Sequence, residues 1–174
     1  MLKRGPLPSI SASDIAREAG VSTATLYRWW DTKEALLLDA FLHRTANEIV
    51  LAAQGSPLER LKDYVLQMAR LLMGENGIVV ARVLAAILDN PVLRNEFQQR
   101  FFSPRSQETR AVVKEAIRKG QLPAGTDVND FLDSVIGPML GRLFVRYERI
   151  NEQFAISVFD RVVAGTKASS PRRR

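Results

Sequence analysis

The chain has 174 residues, no cysteine and a single histidine, His43. Without cysteine there is no disulfide, no thiolate nucleophile and no cysteine-held metal, and one imidazole cannot supply the paired histidines common in zinc sites. No glycine-rich phosphate loop occurs, and the acidic residues are dispersed along the chain. No apolar run approaches the ~18 residues of a membrane helix, and the amino terminus lacks the long apolar core of a secretory leader. The expectation is a soluble cytoplasmic protein that is not an enzyme, uses no cofactor or metal, and has no membrane partner. His43 reads as a surface or interface side chain on a helix.

What is present is 46% hydrophobic residues, enough for a compact core, and a net charge of +6. That charge is unevenly placed. Up to residue 54 there are six basic side chains (Lys3, Arg4, Arg17, Arg28, Lys33, Arg44) and six acidic ones (Asp14, Glu18, Asp31, Glu34, Asp39, Glu48), a balance of zero. Lys167, Arg172, Arg173 and Arg174 supply four positive charges at the other end. Behind Ser169, Ser170 and Pro171, residues 167–174 read as a disordered basic tail. Global basicity is therefore weak evidence for nucleic acid, and the argument passes to particular residues.

The informative stretch is SASDIAREAGVSTATLYRWW, Ser11 to Trp30. Ser11 is placed to cap a helix, with Asp14 three residues on as its carboxylate partner. Ala12, Ile15, Ala16 and Ala19 share one face. Gly20 stands where the chain must turn, since glycine takes the left-handed conformation without penalty. Val21 is expected to plug the angle, and Ser22 to cap a second helix from Thr23 to Trp30. On a wheel of about 100° per residue, Leu26 and Trp30 point one way. The other side carries Ala24, Thr25 and Arg28, flanked by Thr23, Tyr27 and Trp29. Small and hydroxylated residues let a backbone approach base edges, and an arginine can grip guanine at two points. This is the layout of a DNA-binding helix-turn-helix; the competing reading is a plain helical hairpin in a bundle.

The run IAREAGVSTATLYRWWDTKEALLLDAF resembles the DNA-binding head of tetracycline-repressor-type (TetR) transcriptional regulators, with Trp30 where the family usually has phenylalanine. The resemblance implies that Thr23, Ala24, Thr25, Tyr27 and Trp29 face DNA, that Ser13 is a contact on the first helix, and that Lys33 meets a phosphate. It also implies an all-α fold, in which a head (residues 1–45) precedes a helical ligand-binding and dimerisation domain (residues 46–166). Family heads carry a full helix before the helix-turn-helix, whereas Gly5, Pro6 and Pro8 oppose one here. Most of that helix is expected to be absent, leaving Ile15, Ala16, Leu26 and Trp30 partly uncovered at about 1.5–3 kcal/mol for each large side chain. A start codon upstream of Met1, a shortened chain and a poorly binding head are the open explanations, with a missing amino-terminal segment favoured.

Further on, Asp31 and Glu34 suggest the start of a long helix reaching about Ala53, with Leu37, Leu38, Phe41 and Leu42 on its stripe. Ser56, Pro57 and Glu59 mark the next helix start, and Gly74 and Gly77 its end. Ile78 to Leu88 is apolar almost all round and is expected to be central. Asp89, Asn90 and Pro91 mark a turn. Helices are then expected over 91–119, interrupted near Ser103 and Pro104 and closed by Gly120, over 127–147, and over 151–164. The stretch from Ala86 to Leu122 also resembles the ligand domain of one TetR subgroup, more weakly than the head does.

Gly137 and Gly141, four apart, suit a close helix-helix approach. The resemblance implies a dimer formed by the last two helices, which places Phe131, Val135, Leu140, Phe144, Ile156 and Phe159 near the interface; packing within the chain is the alternative. Met68, Leu72, Leu84, Ile87, Phe97, Phe101 and Met139 can line an apolar pocket with Arg82 or Arg142 as polar anchor, or be plain core. The function expected is a sequence-specific DNA-binding regulator, a repressor released by an unknown small-molecule inducer. Its partners would be a palindromic double-stranded operator and a second copy of itself. The alternative is a dimeric sensing or interaction protein whose head does not bind DNA.

Overall fold

The computed structural model describes residues 11–45, 48–88, 90–146 and 148–168, apart from the side chains of Glu75, Asn76 and Arg82. The expectations for Met1 to Ile10, for Asp89 and for residues 169–174 lie outside the described residues. The described chain is helical: α1 (Ala12–Ala19), α2 (Thr23–Trp29), α3 (Lys33–Thr45), α4 (Pro57–Leu71), α5 (Gly74–Leu88), α6 (Pro91–Phe97), α7 (Ser103–Arg118), α8 (Val128–Gly141) and α9 (Glu152–Ala168). Two π-turns, Gln98–Phe102 and Arg142–Arg146, follow α6 and α8. No helix among the described residues is long and apolar enough to cross a membrane.

Most helix starts follow from local chemistry. The Ser11 hydroxyl accepts the Asp14 N–H at 3.0 Å while Asp14 accepts the Ser11 N–H at 3.3 Å, a reciprocal cap. Ser56 and Glu59 repeat this on α4, with Pro57 at a position whose N–H needs no partner. Asn90 caps α6 and Asp127 caps α8. One expected cap is different: the Thr32 hydroxyl, not Asp31, receives the first-turn N–H of α3, from Ala35 at 3.1 Å.

Several boundaries also differ, for reasons that span long sequence distances. Helix α3 ends at Thr45 instead of about Ala53. The stretch that would continue it is held non-helical by side chains of α4: Gln67 bonds both the N–H and the carbonyl of Val50, and Arg60 donates to the Ala52 carbonyl at 2.6 Å. Gly74, at φ 56°, breaks the chain, but Gly77 is buried inside α5. Ile78 and Leu88 are 50% and 65% exposed, so α5 has an uncovered side despite its apolar composition. Pro104 causes no break. In the π-turn just ahead of it the Ser103 N–H reaches back five residues to the Gln98 carbonyl, a wider turn beside which the proline ring is accommodated. Helix α8 ends at Gly141 and passes into a π-turn, and α9 runs on to Ala168, taking Lys167 into the helix.

The chain forms two compact units, each from two separate segments. The first, Met1–Asn47 with Glu75–Ser103, packs α2 on α1 through Ala16 and Leu26, and buries Leu37, Leu38, Phe41, Val79, Val83, Ile87 and Leu93. Phe101 lies 5.5 Å from Phe41 and 5.1 Å from Phe97 between ring centres. The second, Glu48–Gly74 with Pro104–Arg174, packs α4, α8 and α9 together over Leu61, Val65, Val135, Met139, Val158 and Phe159. Ala69, Ala116 and Ala155 are completely buried there. Ion pairs Lys62–Asp160 (2.9 Å) and Arg70–Glu152 (2.8 Å) join α4 to α9 at the surface. Such exposed pairs contribute at most about 1 kcal/mol each, so apolar burial carries the packing.

Two outcomes follow from the caps. Ser56→Ala should lower stability by about 1 kcal/mol and the melting temperature by roughly 2–4 °C in calorimetry. The Ser11 hydroxyl, with the Arg17 guanidinium behind it, holds the Asp14 carboxyl below the usual carboxylate range. A depressed carboxyl stabilises the fold above its unfolded pKa of about 3.9, and this contribution is lost as the pH falls through the folded value. Asp14→Asn should therefore narrow the difference between melting temperatures measured at about pH 5 and about pH 3.

Candidate nucleic-acid interface

The turn between α1 and α2 is built as its residues dictate. Gly20 is left-handed, at φ 69° and ψ 26°, and the Val21 N–H returns to the Ala16 carbonyl at 3.0 Å. Val21 does not plug the angle; it is 41% exposed. Ser22 then caps α2, its hydroxyl accepting the Thr25 N–H at 3.1 Å and lying 2.9 Å from the Thr25 hydroxyl.

Helix α2 divides along the expected line. Leu26 is 8% exposed and Trp30 half-buried, while Thr23, Ala24, Tyr27, Arg28 and Trp29 are exposed and Thr25 partly so. Trp29 is the extreme, at 70% exposure, with the Arg28 guanidinium carbon 5.7 Å from its ring centre. Ser13 is exposed on α1. Lys33, the first residue of α3, is more enclosed: its side chain is 20% exposed and its ammonium lies 3.4 Å from Glu34. Arg17 is committed to Asp14 at 2.6 Å.

One connection links residues far apart in the chain. Trp30 closes α2 with an extended backbone, and its indole N–H donates to Asp39 at 3.3 Å. Arg100, in the first π-turn, donates to the other oxygen of the same carboxylate at 2.5 Å. The only hint in the sequence was the tryptophan itself, standing where a ring without a donor is usual.

The pocket candidates are divided between the units. In the first, Ile87 and Phe101 are buried and Leu84 and Phe97 half-buried; a cavity of about 280 Å³ there is lined by Lys33, Glu34, Leu37, Leu38, Val83, Ala86 and Ile87, sharing Ile87 with the candidates. In the second, Leu72 and Met139 are buried and Met68 half-buried. The Arg142 guanidinium is stacked 3.6 Å over Phe154 and lies 3.3 Å from Glu148. The side chain of Arg82 lies outside the described residues. Among the described residues no three Asp, Glu or His side chains converge as metal ligands, and His43 is exposed on α3.

Of the dimer candidates, Phe131, Val135 and Phe159 are at most 3% exposed in the chain's own core, with Phe131 and Phe159 edge to face, so they have almost no surface left to offer a partner. Gly137 is exposed, and Leu140, Gly141, Phe144 and Ile156 are partly so. Beside them runs a groove of about 550 Å³ lined by Pro138, Gly141, Val145, Phe154, Val158 and Val162, with Ser134, Arg146 and Arg161 as polar members. Val145, missed from the sequence, is 75% exposed.

Residues 2–40 match the family model described as bacterial regulatory proteins, tetR family, and residues 51–162 the one described as tetracyclin repressor-like, C-terminal domain. YdeS of Bacillus subtilis strain 168, an uncharacterized HTH-type transcriptional regulator, is 27% identical over 170 residues, covering 98% of this chain and 85% of YdeS. Among solved structures, the TetR family transcription regulator SCO0332 aligns with a TM-score of 0.75 at 22% identity, over 94% of this chain and 90% of that one. The transcriptional regulator FadR of Bacillus subtilis, in complex with stearoyl-CoA, gives 0.71 at 20% identity over 91% and 90%. Matched in chain order by both parts of one family's architecture, and carrying a capped helix-turn-helix with its aromatic face outward, the chain belongs to the TetR family of transcriptional regulators.

Proposed function

We propose that the chain is a repressor that binds a palindromic operator as a homodimer and leaves it when a small, largely apolar effector binds. The observation that carries this reading is the outward face of α2, where Tyr27, Arg28 and Trp29 stand exposed beside Thr23 and Ala24. Arg28 is the group suited to a guanine edge, the Thr25 methyl to a thymine, and Tyr27, Lys33 and Ser13 to phosphates. Two copies are needed because recognition helices must enter the major groove about 34–36 Å apart.

The dimer surface follows from Gly137 and Gly141. A Cβ added at either glycine meets nothing within 4 Å, so packing within the chain does not require them. Glycine inside a helix is nevertheless about 1 kcal/mol less favourable than alanine. A close approach by a second copy supplies the missing reason, and the adjoining groove with exposed Val145 supplies apolar area. For the effector, the 280 Å³ cavity lies at the lower limit of drug-sized sites, roughly 300–1,000 Å³, which favours a compact ligand or a cavity that opens on binding.

Binding to a duplex selected from a random library, compared with an unselected duplex across a salt series, tests the DNA face. Arg28→Ala and Thr25→Ala should change which sequence is preferred, with a loss of about 1–3 kcal/mol on the selected duplex for Arg28→Ala. Tyr27→Phe and Lys33→Ala should weaken both duplexes alike. Equal losses on both duplexes for all four variants would overturn the assignment. For the dimer, Gly141→Leu should shift the sedimenting species toward monomer while the helical circular dichroism is kept. A Gly141→Leu protein that sediments as wild type would remove α8 from the interface.

A further inference from the structure

Trp30 is where α2 stops and the chain turns toward α3. Its backbone N–H still bonds the Leu26 carbonyl at 3.0 Å, and its indole N–H crosses to Asp39 Oδ2 at 3.3 Å. Asp39 Oδ1 is taken by the Arg100 guanidinium. A single carboxylate thus joins the end of α2 to a π-turn 61 residues beyond Asp39. The π-turn is fixed independently, because Phe101 is buried against Phe97 and against Phe41, which sits on α3 with Asp39. Among the described residues Glu96 also lies near Arg100, at 4.0 Å, a weaker competitor for it.

The geometry points to Asp39 as a positioning residue for DNA binding, which fixes the end of α2 through Trp30 and is itself fixed by Arg100. None of the three needs to touch DNA. A phenylalanine at position 30 would fill the same space without donating a hydrogen bond, so tryptophan adds a directional tether to what packing alone provides. The tether matters because a reading face must be held to within about 0.5 Å, and α2 is a seven-residue helix whose carboxy-terminal end is otherwise anchored by Leu26. The inference rests on α2 being the helix that enters the groove.

The test is a mutant cycle on the full chain, with affinity for the selected duplex as one readout and the indole N–H signals of the DNA-free protein, by nitrogen-proton NMR, as the other. Arg100 and Asp39 are partly exposed, at 51% and 35%, so the effects are modest. Trp30→Phe and Arg100→Gln should each weaken binding about threefold and Asp39→Ala about fivefold to tenfold. In the Asp39→Ala background neither of the other two changes should weaken binding further by more than about twofold. The Trp30 indole signal, identified by its loss in Trp30→Phe, should shift in Arg100→Gln, because both side chains bond the Asp39 carboxylate. Losses that multiply independently, or an indole signal that ignores Arg100→Gln, would overturn the proposal. If the wild type discriminates no duplex, the reading of α2 fails, while the indole shift still decides the tether.

Discussion

Seven residues are too few for a helix to hold itself together in water, because the nucleation penalty is recovered only over about 12–15 residues. Helix α2 is that short, and it carries the exposed side chains of Tyr27, Arg28 and Trp29. Its stability must therefore be imposed from outside. The cap from Ser22, the left-handed turn at Gly20, the burial of Leu26 and the polar anchor of Trp30 together impose it. Asp39, which accepts from the Trp30 indole, lies on the same helix as Phe41, whose ring packs on Phe101.

Charge plays a smaller part than the basic composition suggests. Arg17 is paired with Asp14, Lys33 lies beside Glu34 and Arg100 is spent on Asp39, so these three cations are balanced locally. A head of this kind has little long-range field with which to draw in DNA, and short-range fit must supply the discrimination. The exposed aromatics suit that task, since they make close contacts that salt does not screen.

What could be read from the sequence was what depends on neighbours three or four residues away. The Ser11–Asp14 and Ser56–Glu59 caps, the turns at Gly20 and Gly120 and the inward pair Leu26 and Trp30 are of this kind. Interactions over long separations were hidden. Val50 and Ala52, which local pattern places in α3, instead bond to Gln67 and Arg60 of α4. Asp39 gives no local sign of binding Trp30 and Arg100 together. Burial misled in both directions: Ile78 and Leu88 look like core and are exposed, while Phe131 and Phe159 suit an interface and are spent inside. Hydrophobic pattern says that a side chain will avoid water, and only the tertiary arrangement says against what.

The two units are interleaved along the chain, which crosses between them near residues 47, 74 and 103. Neither can be obtained by cutting at a single point. During synthesis the first unit lacks α5 and α6 until residue 103 has left the ribosome, so α3 emerges well before α6, against which it packs, whereas α1 and α2 pack on each other and emerge together.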